Sequence, residues 1–455
     1  MTKIAVLGEL DSKVRADLIL KKDAVRANEE RISVDFGRIT QIVSPLDLDL
    51  AYIAAGLFAC ENLQRNGKIQ LNEWIRFVVR EKTAWDTDNV KSLLQAIISF
   101  TLNEQPSIYF KGCKTKHKTQ KKSGVPNVNF VCLFSGGTDS LCGIIDTLNM
   151  NKSVAGIFVS HDRLRRIVNG LMKNYLEPRG IVPYIVTIQR TGEGLQQLRG
   201  FLYLSFGVIL AKLSDTTNVV ISETGPTMYL PEILPLDEVT LTTHPTLIKL
   251  SKLLFKELYG KNFKFYEPYE NLTKAEALAL CPVKEAIART NSCITTRFAN
   301  SSIPHCGKCF GCLVRRISAL VAGVPDTQYA WDVLVKDIGE KVIGRQRNAR
   351  IKQSNFHDLY AILRFVRDVL EDNLPDHTNF KIKQYGKDML FKRFALDVFS
   401  ALFILYDQQR SGRNTFVKKF YRECKKDNII SKELLENRVA EVRGGKYRAN
   451  FDYFV

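Results

Sequence analysis

Phe130-Val131-Cys132-Leu133-Phe134-Ser135-Gly136-Gly137-Thr138-Asp139-Ser140 joins an apolar run to a turn of two glycines, and the apolar helical pattern that follows continues to Leu148. A short β-rich run entering an amphipathic segment reads as a strand feeding a helix. Paired glycines permit close backbone approach, so the amides of the first helical turn, with the Ser135 and Ser140 hydroxyls, can cradle an anion. Asp139 opposes a bare phosphate and makes sense when a divalent cation, naturally Mg2+, lies between them. Ser, Gly and Asp also build ordinary strand-to-helix turns. The complete Ser-Gly-Gly-Thr-Asp-Ser string in this context favours a phosphate-binding turn formed by Ser135, Gly136, Gly137, Thr138, Asp139 and Ser140.

Working outward, short β-rich runs alternate with helical ones: Val154 to Val159 then Leu164 to Tyr175, Ile181 to Ile188 then Leu198 to Leu213, and Val219 to Ser222. This alternation predicts an α/β fold with a doubly wound parallel sheet and ligands at the carboxyl ends of its strands. Upstream, an alternating stretch at Arg31 to Phe36 and helical patterns at Leu48 to Leu63 and Val90 to Leu102 predict a small N-terminal α/β domain. It closes on a basic linker: Lys111, Gly112, Lys114, Lys116, Lys118, Lys121, Lys122, Ser123, Gly124 and Pro126. Past Pro325, helical patterns dominate to about Lys426 with basic faces at Arg345, Arg347, Arg350 and Lys352, then at Lys418, Lys419, Arg422, Lys425 and Lys426. The expected domains are 1–122, 123–326 and 327–455.

With 455 residues, 45% of them apolar and 25% charged, the chain reads as a folded globular protein rather than a disordered or collagenous one. Its 66 basic and 48 acidic side chains leave a net charge of +18, which favours acidic partners without naming one. The apolar stretches Leu202 to Ala211 and Phe394 to Tyr406 are too short to span a bilayer, so no membrane association is expected. Glu9 and Asp11 arrive too early for a secretory signal, and the expected compartment is the cytoplasm.

Ten cysteines are too few for a disulfide scaffold of this length. Four of them, Cys293, Cys306, Cys309 and Cys312, have the spacing of a closed tetrahedral zinc site, Gly307 and Gly311 easing its turns and Lys308, Arg315 and Arg316 offsetting its charge. A redox dithiol, an iron–sulfur cluster and chance packing are the competing readings, and His305 is an alternative ligand. Cys60, Cys113, Cys132, Cys142, Cys281 and Cys424 read as packing or surface residues.

The Ser135 to Ser140 string resembles the pyrophosphate (PP) loop of the ATP pyrophosphatases. With Thr273-Lys274-Ala275-Glu276 and the four cysteines, in that order, it resembles the 7-cyano-7-deazaguanine synthase (QueC) family over about residues 127 to 325. The resemblance implies an adenine nucleotide alpha hydrolase-like fold, ATP, Mg2+ and Zn2+ as cofactors, and adenylation of 7-carboxy-7-deazaguanine. By position it gives Ser135, Asp139 and Lys274 catalytic roles, the rest of the loop and Arg199 roles in nucleotide binding, and the four cysteines the metal. Thr273 and Glu276 independently predict a capping box; Lys274 also reads as a solvated first-turn lysine and Arg199 as a surface ion pair. Ser222-Glu223-Thr224-Gly225-Pro226-Thr227-Met228-Tyr229 departs from the family's base-binding segment, leaving Glu223 as either a partner for a guanine-like edge or a structural cap.

Flanks of about 120 residues at each end, with Trp74-Ile75-Arg76 and Trp85 in the first, are similar to those of QueC-like members of antiphage systems, among them the Qat system (QatC) and type IV CBASS. That resemblance implies transfer of the activated deazaguanine carboxylate to the terminal amine of a partner protein of the same defence system. Trp331, Tyr360, Phe365 and Tyr421, beside the basic helices, are candidate docking residues. The alternatives are a synthase using ammonia, a PP-loop enzyme modifying tRNA through the basic helices, and a nucleotide sensor without chemistry.

Overall fold

The computed structural model describes residues 3–8, 10, 16–26, 28–37, 43–65, 74–113, 125–150, 152–160, 164–190, 197–237, 240–294, 301–344 and 349–450. The first strands are β1 (Lys3–Gly8), β2 (Leu18–Lys21) and β3 (Glu29–Asp35), followed by α1 (Pro45–Arg65), β4 (Trp74–Val79), α2 (Lys82–Trp85), α3 (Asp88–Leu102) and β5 (Ser107–Gly112). The second series is β6 (Phe130–Leu133), α4 (Thr138–Asn149), β7 (Val154–Ser160), α5 (Arg165–Leu171), β8 (Val182–Arg190), α6 (Arg199–Leu213) and β9 (Asn218–Val220). After it come α7 (Gly225–Ile233), α8 (Pro245–Tyr259), β10 (Lys264–Tyr266), α9 (Lys274–Leu280) and α10 (Phe310–Ala322). The remaining helices are α11 (His357–Leu370), α12 (Asp376–Tyr385), α13 (Asp388–Phe403), α14 (Thr415–Lys426) and α15 (Lys432–Arg443).

All ten strands form one sheet in the order β10-β9-β6-β7-β8-β3-β2-β1-β4-β5. Its pairs are parallel except β3 with β8, where Ile32 faces Arg190 and Val34 faces Ile188. The chain runs from β6 outward through β7 to β8, then returns past β6 to β9 and β10. The direction of winding therefore reverses between β6 and β9. Right-handed crossovers place α4 on one face of this half and α6 on the other. Helix α6 is buried on nearly every side, which is why its sequence shows no polar face.

Several expectations change here. Lys111 and Gly112, read as the start of a linker, belong to β5, while the linker residues Lys114 to Gly124 lie outside the described residues, as do Arg345 and Arg347. The N-terminal strands do not form a sheet of their own; they extend the central one through β3. Past Pro325 the chain runs through turns and isolated bridges before helical structure resumes at Gln353, and α15 continues beyond Lys426. Trp331, Phe365 and Tyr421 are buried, so they serve the core and not a docking face. No helix among the described residues is long and apolar enough to cross a membrane.

Candidate functional site

Strand β6 ends at Leu133 and β9 at Val220, and their carboxyl ends flank the crevice where the winding reverses, the place open α/β sheets bind ligands. A cavity there is lined by Leu133, Ser135 and Ser140 from the β6 side, Ile221, Ser222 and Glu223 from the β9 side, Arg199, Gly200, Tyr203 and Leu204 from α6, and Thr242 and Thr243. Of the sequence-predicted residues, Ser135, Ser140, Arg199 and Glu223 line this cavity. Tyr203, Thr242 and Thr243 carried no motif that could have marked them.

The turn between β6 and α4 is held open by its own groups. Ser140 Oγ donates to the Gly137 carbonyl at 3.1 Å and accepts the Ser135 amide at 3.3 Å, while the Ser135 and Ser140 hydroxyls stand 3.2 Å apart. Gly136 has φ +79, and Gly137 precedes the helix in extended backbone. No side chain caps the first turn of α4, and Ser140 of that turn lines the crevice.

Asp139 is buried and its Oδ2 lies 2.7 Å from Lys274 Nζ, which is also buried. The solvated-lysine reading of Lys274 is therefore set aside. It stands in the first turn of α9, whose start is fixed by the expected capping box: Thr273 Oγ1 accepts the Glu276 amide at 3.3 Å and Glu276 Oε2 accepts the Thr273 amide at 2.9 Å. Burial opposes the charge on Lys274, but the carboxyls of Asp139 and Glu223 outweigh it and its pKa lies above the ordinary lysine value. Burial and the neighbouring Asp139 push Glu223 up to about 8, leaving it protonated at neutral pH and able to donate as well as accept. Arg199 opens α6 and lines the same cavity.

Cys293, Cys306, Cys309 and Cys312 are all buried, with sulfurs lying within 4.8 Å of one another. Cys306 and Cys312 are separated by 3.8 Å, and two sulfurs each about 2.3 Å from a tetrahedral ion stand about 3.8 Å apart. The donor set therefore fits zinc. Hydrogen bonds from the other three cysteines hold the Cys306 thiol well below the usual cysteine range, while hydrogen bonding with Cys293 pushes Cys309 up and burial pushes Cys312 up; thiols that bind an ion give up their protons to it. Gly307 has φ +86, and a Cβ there would lie 2.7 Å from the Asp332 amide. His305 is not one of the ligands: its Nε2 accepts the Ser292 amide at 3.2 Å. Arg315 is spent on Asp326, Thr290 and the Ile287 carbonyl, so it buttresses the cluster rather than facing it.

The two sites touch. The Asn291 amide donates to the Gly136 carbonyl at 3.0 Å, and Asn291 Oδ1 accepts the amide of Cys293 at 3.0 Å. Asn291 was not anticipated from sequence, although its place two residues before a metal-spaced cysteine is a usable signal. Of the other cysteines, Cys113 is half-buried and the remaining five are buried.

Compared with protein-family models the chain matches none, and no curated protein matches it either.

Proposed function

We propose that the chain is an ATP-dependent ligase that forms AMP and pyrophosphate, adenylating the carboxylate of 7-carboxy-7-deazaguanine and passing the acyl group to an amine, the N-terminus of a partner protein in antiphage defence. The observation that carries this reading is the open glycine turn at the β6/β9 reversal, with Asp139 and Lys274 paired beside it and Arg199 and Glu223 across the cavity. In this reading the turn is a PP-loop. The Ser135 and Ser140 hydroxyls and the first amides of α4 donate to phosphate oxygens. Asp139 would hold Mg2+, which neutralises charge on the departing pyrophosphate. Lys274 is within reach of the same phosphates, and Arg199 offsets charge on the reacting α-phosphate.

A carboxylate oxygen attacks the α-phosphorus while the bond to the β-phosphate oxygen breaks, releasing pyrophosphate. The acceptor nitrogen then attacks the acyl carbon, AMP leaves with the bonding electron pair, and the nitrogen loses a proton. Glu223, protonated and half-buried, has the donor and acceptor needed to pair with a guanine-like edge. Support for a protein acceptor comes from α14. Arg413, Lys418, Lys419, Arg422 and Lys426 line a surface depression of about 450 Å³ whose one acidic residue is Glu423.

The test is pyrophosphate release by the purified chain given ATP, Mg2+ and 7-carboxy-7-deazaguanine, with mass spectrometry of co-expressed neighbours for an amine-linked deazaguanine adduct. Asp139→Asn or Ser135→Ala should remove pyrophosphate release while leaving the fold intact. Wild-type output from Asp139→Asn overturns the site. Nitrile formation from ammonia without labelled protein identifies a synthase, and labelled tRNA a tRNA-modifying enzyme.

A further inference from the structure

The capping box that starts α9 is gripped from outside by the C-terminal helices. Arg438 of α15 donates through Nη2 to Glu276 Oε1 at 2.7 Å and through Nε to Asp397 Oδ1 of α13 at 2.7 Å. Arg393 of α13 donates to the same Glu276 oxygen at 2.8 Å and to the Asn271 carbonyl at 2.7 Å. Tyr447 lies 5.0 Å from the Arg393 guanidinium and 5.2 Å from that of Arg438. Arg438, Asp397 and Glu276 are 2%, 1% and 1% exposed.

Stability alone is a poor reason for such a cluster. Buried ion pairs commonly gain no more than apolar packing of equal volume would, because desolvation offsets their attraction. Here Arg438 Nη1 and Asp397 Oδ2 have no hydrogen-bond partner among the described residues, so the desolvation is not fully repaid. What the cluster does achieve is geometric. It fixes Glu276, Glu276 fixes the Thr273 amide, and that turn carries Lys274 against Asp139.

We infer that Arg438 is a positioning residue: together with Asp397 it holds the Glu276 cap so that Lys274 is presented to the phosphate end of the crevice. The inference rests on the proposed role of Lys274 in the adenylation reaction. It makes the C-terminal helices part of the nucleotide site, although none of their residues lines the crevice.

A double-mutant cycle on the full chain separates positioning from bulk stability. Arg438→Met should lower pyrophosphate formation about tenfold or more in the wild-type background and less than about twofold in a Lys274→Ala background, because the residue it positions is then gone. Arg438→Lys, which keeps one charged donor, should recover part of the loss. A parallel measurement needs no activity: acylation of Lys274 by an N-hydroxysuccinimide ester, followed by peptide mass spectrometry, should be slow in the wild type and several-fold faster in folded Arg438→Met. Equal losses in both backgrounds, or unchanged Lys274 acylation in folded Arg438→Met and Arg438→Lys, overturn the inference. If the wild-type chain forms no pyrophosphate, the functional reading fails, and the acylation rates still decide whether Arg438 positions Lys274.

Discussion

At Gly136 the backbone takes φ +79, and an added Cβ would lie 2.6 Å from Val168 Cγ2. The left-handed conformation costs an L-residue about 1–2 kcal/mol, and the overlap with a buried valine adds to it. Gly136→Ala should therefore destabilise the protein by about 2 kcal/mol or more and weaken ATP binding, as urea unfolding and nucleotide titration would show. Glu267, at the end of β10, makes a different point. Burial pushes it up to about 7, the neighbouring Glu270 adding to the effect, and its Oε1 has no partner among the described residues. The folded state keeps this proton up to about pH 7 while the unfolded chain releases it near 4.5, so stability falls as pH rises through that window and levels off above it. Glu267→Gln should remove that slope, leaving the variant more stable than wild type at pH 8 by on the order of 1–3 kcal/mol and little changed at pH 4. Urea midpoints at the two pH values check this.

Among the elements, the cysteine-bearing segment and the β6–α4 turn are joined through Asn291, whose amide holds the Gly136 carbonyl and whose side chain holds the Cys293 amide. Loss of the metal would first release Cys293, then Asn291, then the loop. Chelation, or Cys309→Ser, should thus lower both the thermal midpoint and ATP affinity, since a structural zinc supplies on the order of 10 kcal/mol of apparent folding free energy. Elemental analysis alongside nucleotide titration measures the two together; undiminished ATP affinity in zinc-free folded protein would break the proposed link. Such coupling explains what could be read in advance. Strand-to-helix alternation from Phe130 to Ser222, the cysteine spacing and the Thr273–Glu276 box are local patterns, and each appears in the structure as a strand, a cluster or a cap. Asn291, Arg393 and Arg438 act across more than 110 positions of sequence, through Gly136 and Glu276, where no periodicity or spacing rule reaches. Trp331 and Tyr421 misled because an aromatic beside lysines looks the same whether the ring faces solvent or core.

Over the whole molecule, both halves of the sheet follow one plan. Reading outward from the β8–β3 junction, the strands of the second half are β8, β7, β6, β9, β10 and those of the first are β3, β2, β1, β4, β5. Each half places its first strand in the middle, and the halves meet edge to edge with opposite polarity. The first half covers the edge of β8, which would otherwise expose a row of unpaired backbone groups. On the other side, α13 and α15 reach Glu276, so removing residues 327–455 would strip Arg393 and Arg438 from the capping box of α9 along with any docking surface. Truncation cannot then separate partner docking from chemistry, and a surface substitution is needed.

Helix α14 supplies that surface. Lys418, Arg422 and Lys426 recur at four-residue intervals and so share one face, with Lys419 beside them. Lys425 instead pairs with Asp407 at 3.0 Å, and Lys419 lies 3.8 Å from Glu423, leaving the stripe with little local neutralisation. Tyr421 and Val417, on the opposite side of the helix, are buried, so they anchor it while the cations face outward. None of these cations lines the crevice, so they should steer a partner without altering the reaction centre. Lys418→Glu with Arg422→Glu and Lys426→Glu is accordingly expected to slow labelling of an acidic acceptor protein at least tenfold. Pyrophosphate release without the acceptor should stay within about twofold of wild type. Raising the salt should narrow the difference in labelling, because screening removes the steering that the substitutions reverse. Labelling that is unaffected at low salt would mean that the acceptor docks elsewhere, and a matching loss of pyrophosphate release would mean that the stripe supports the fold instead of a partner.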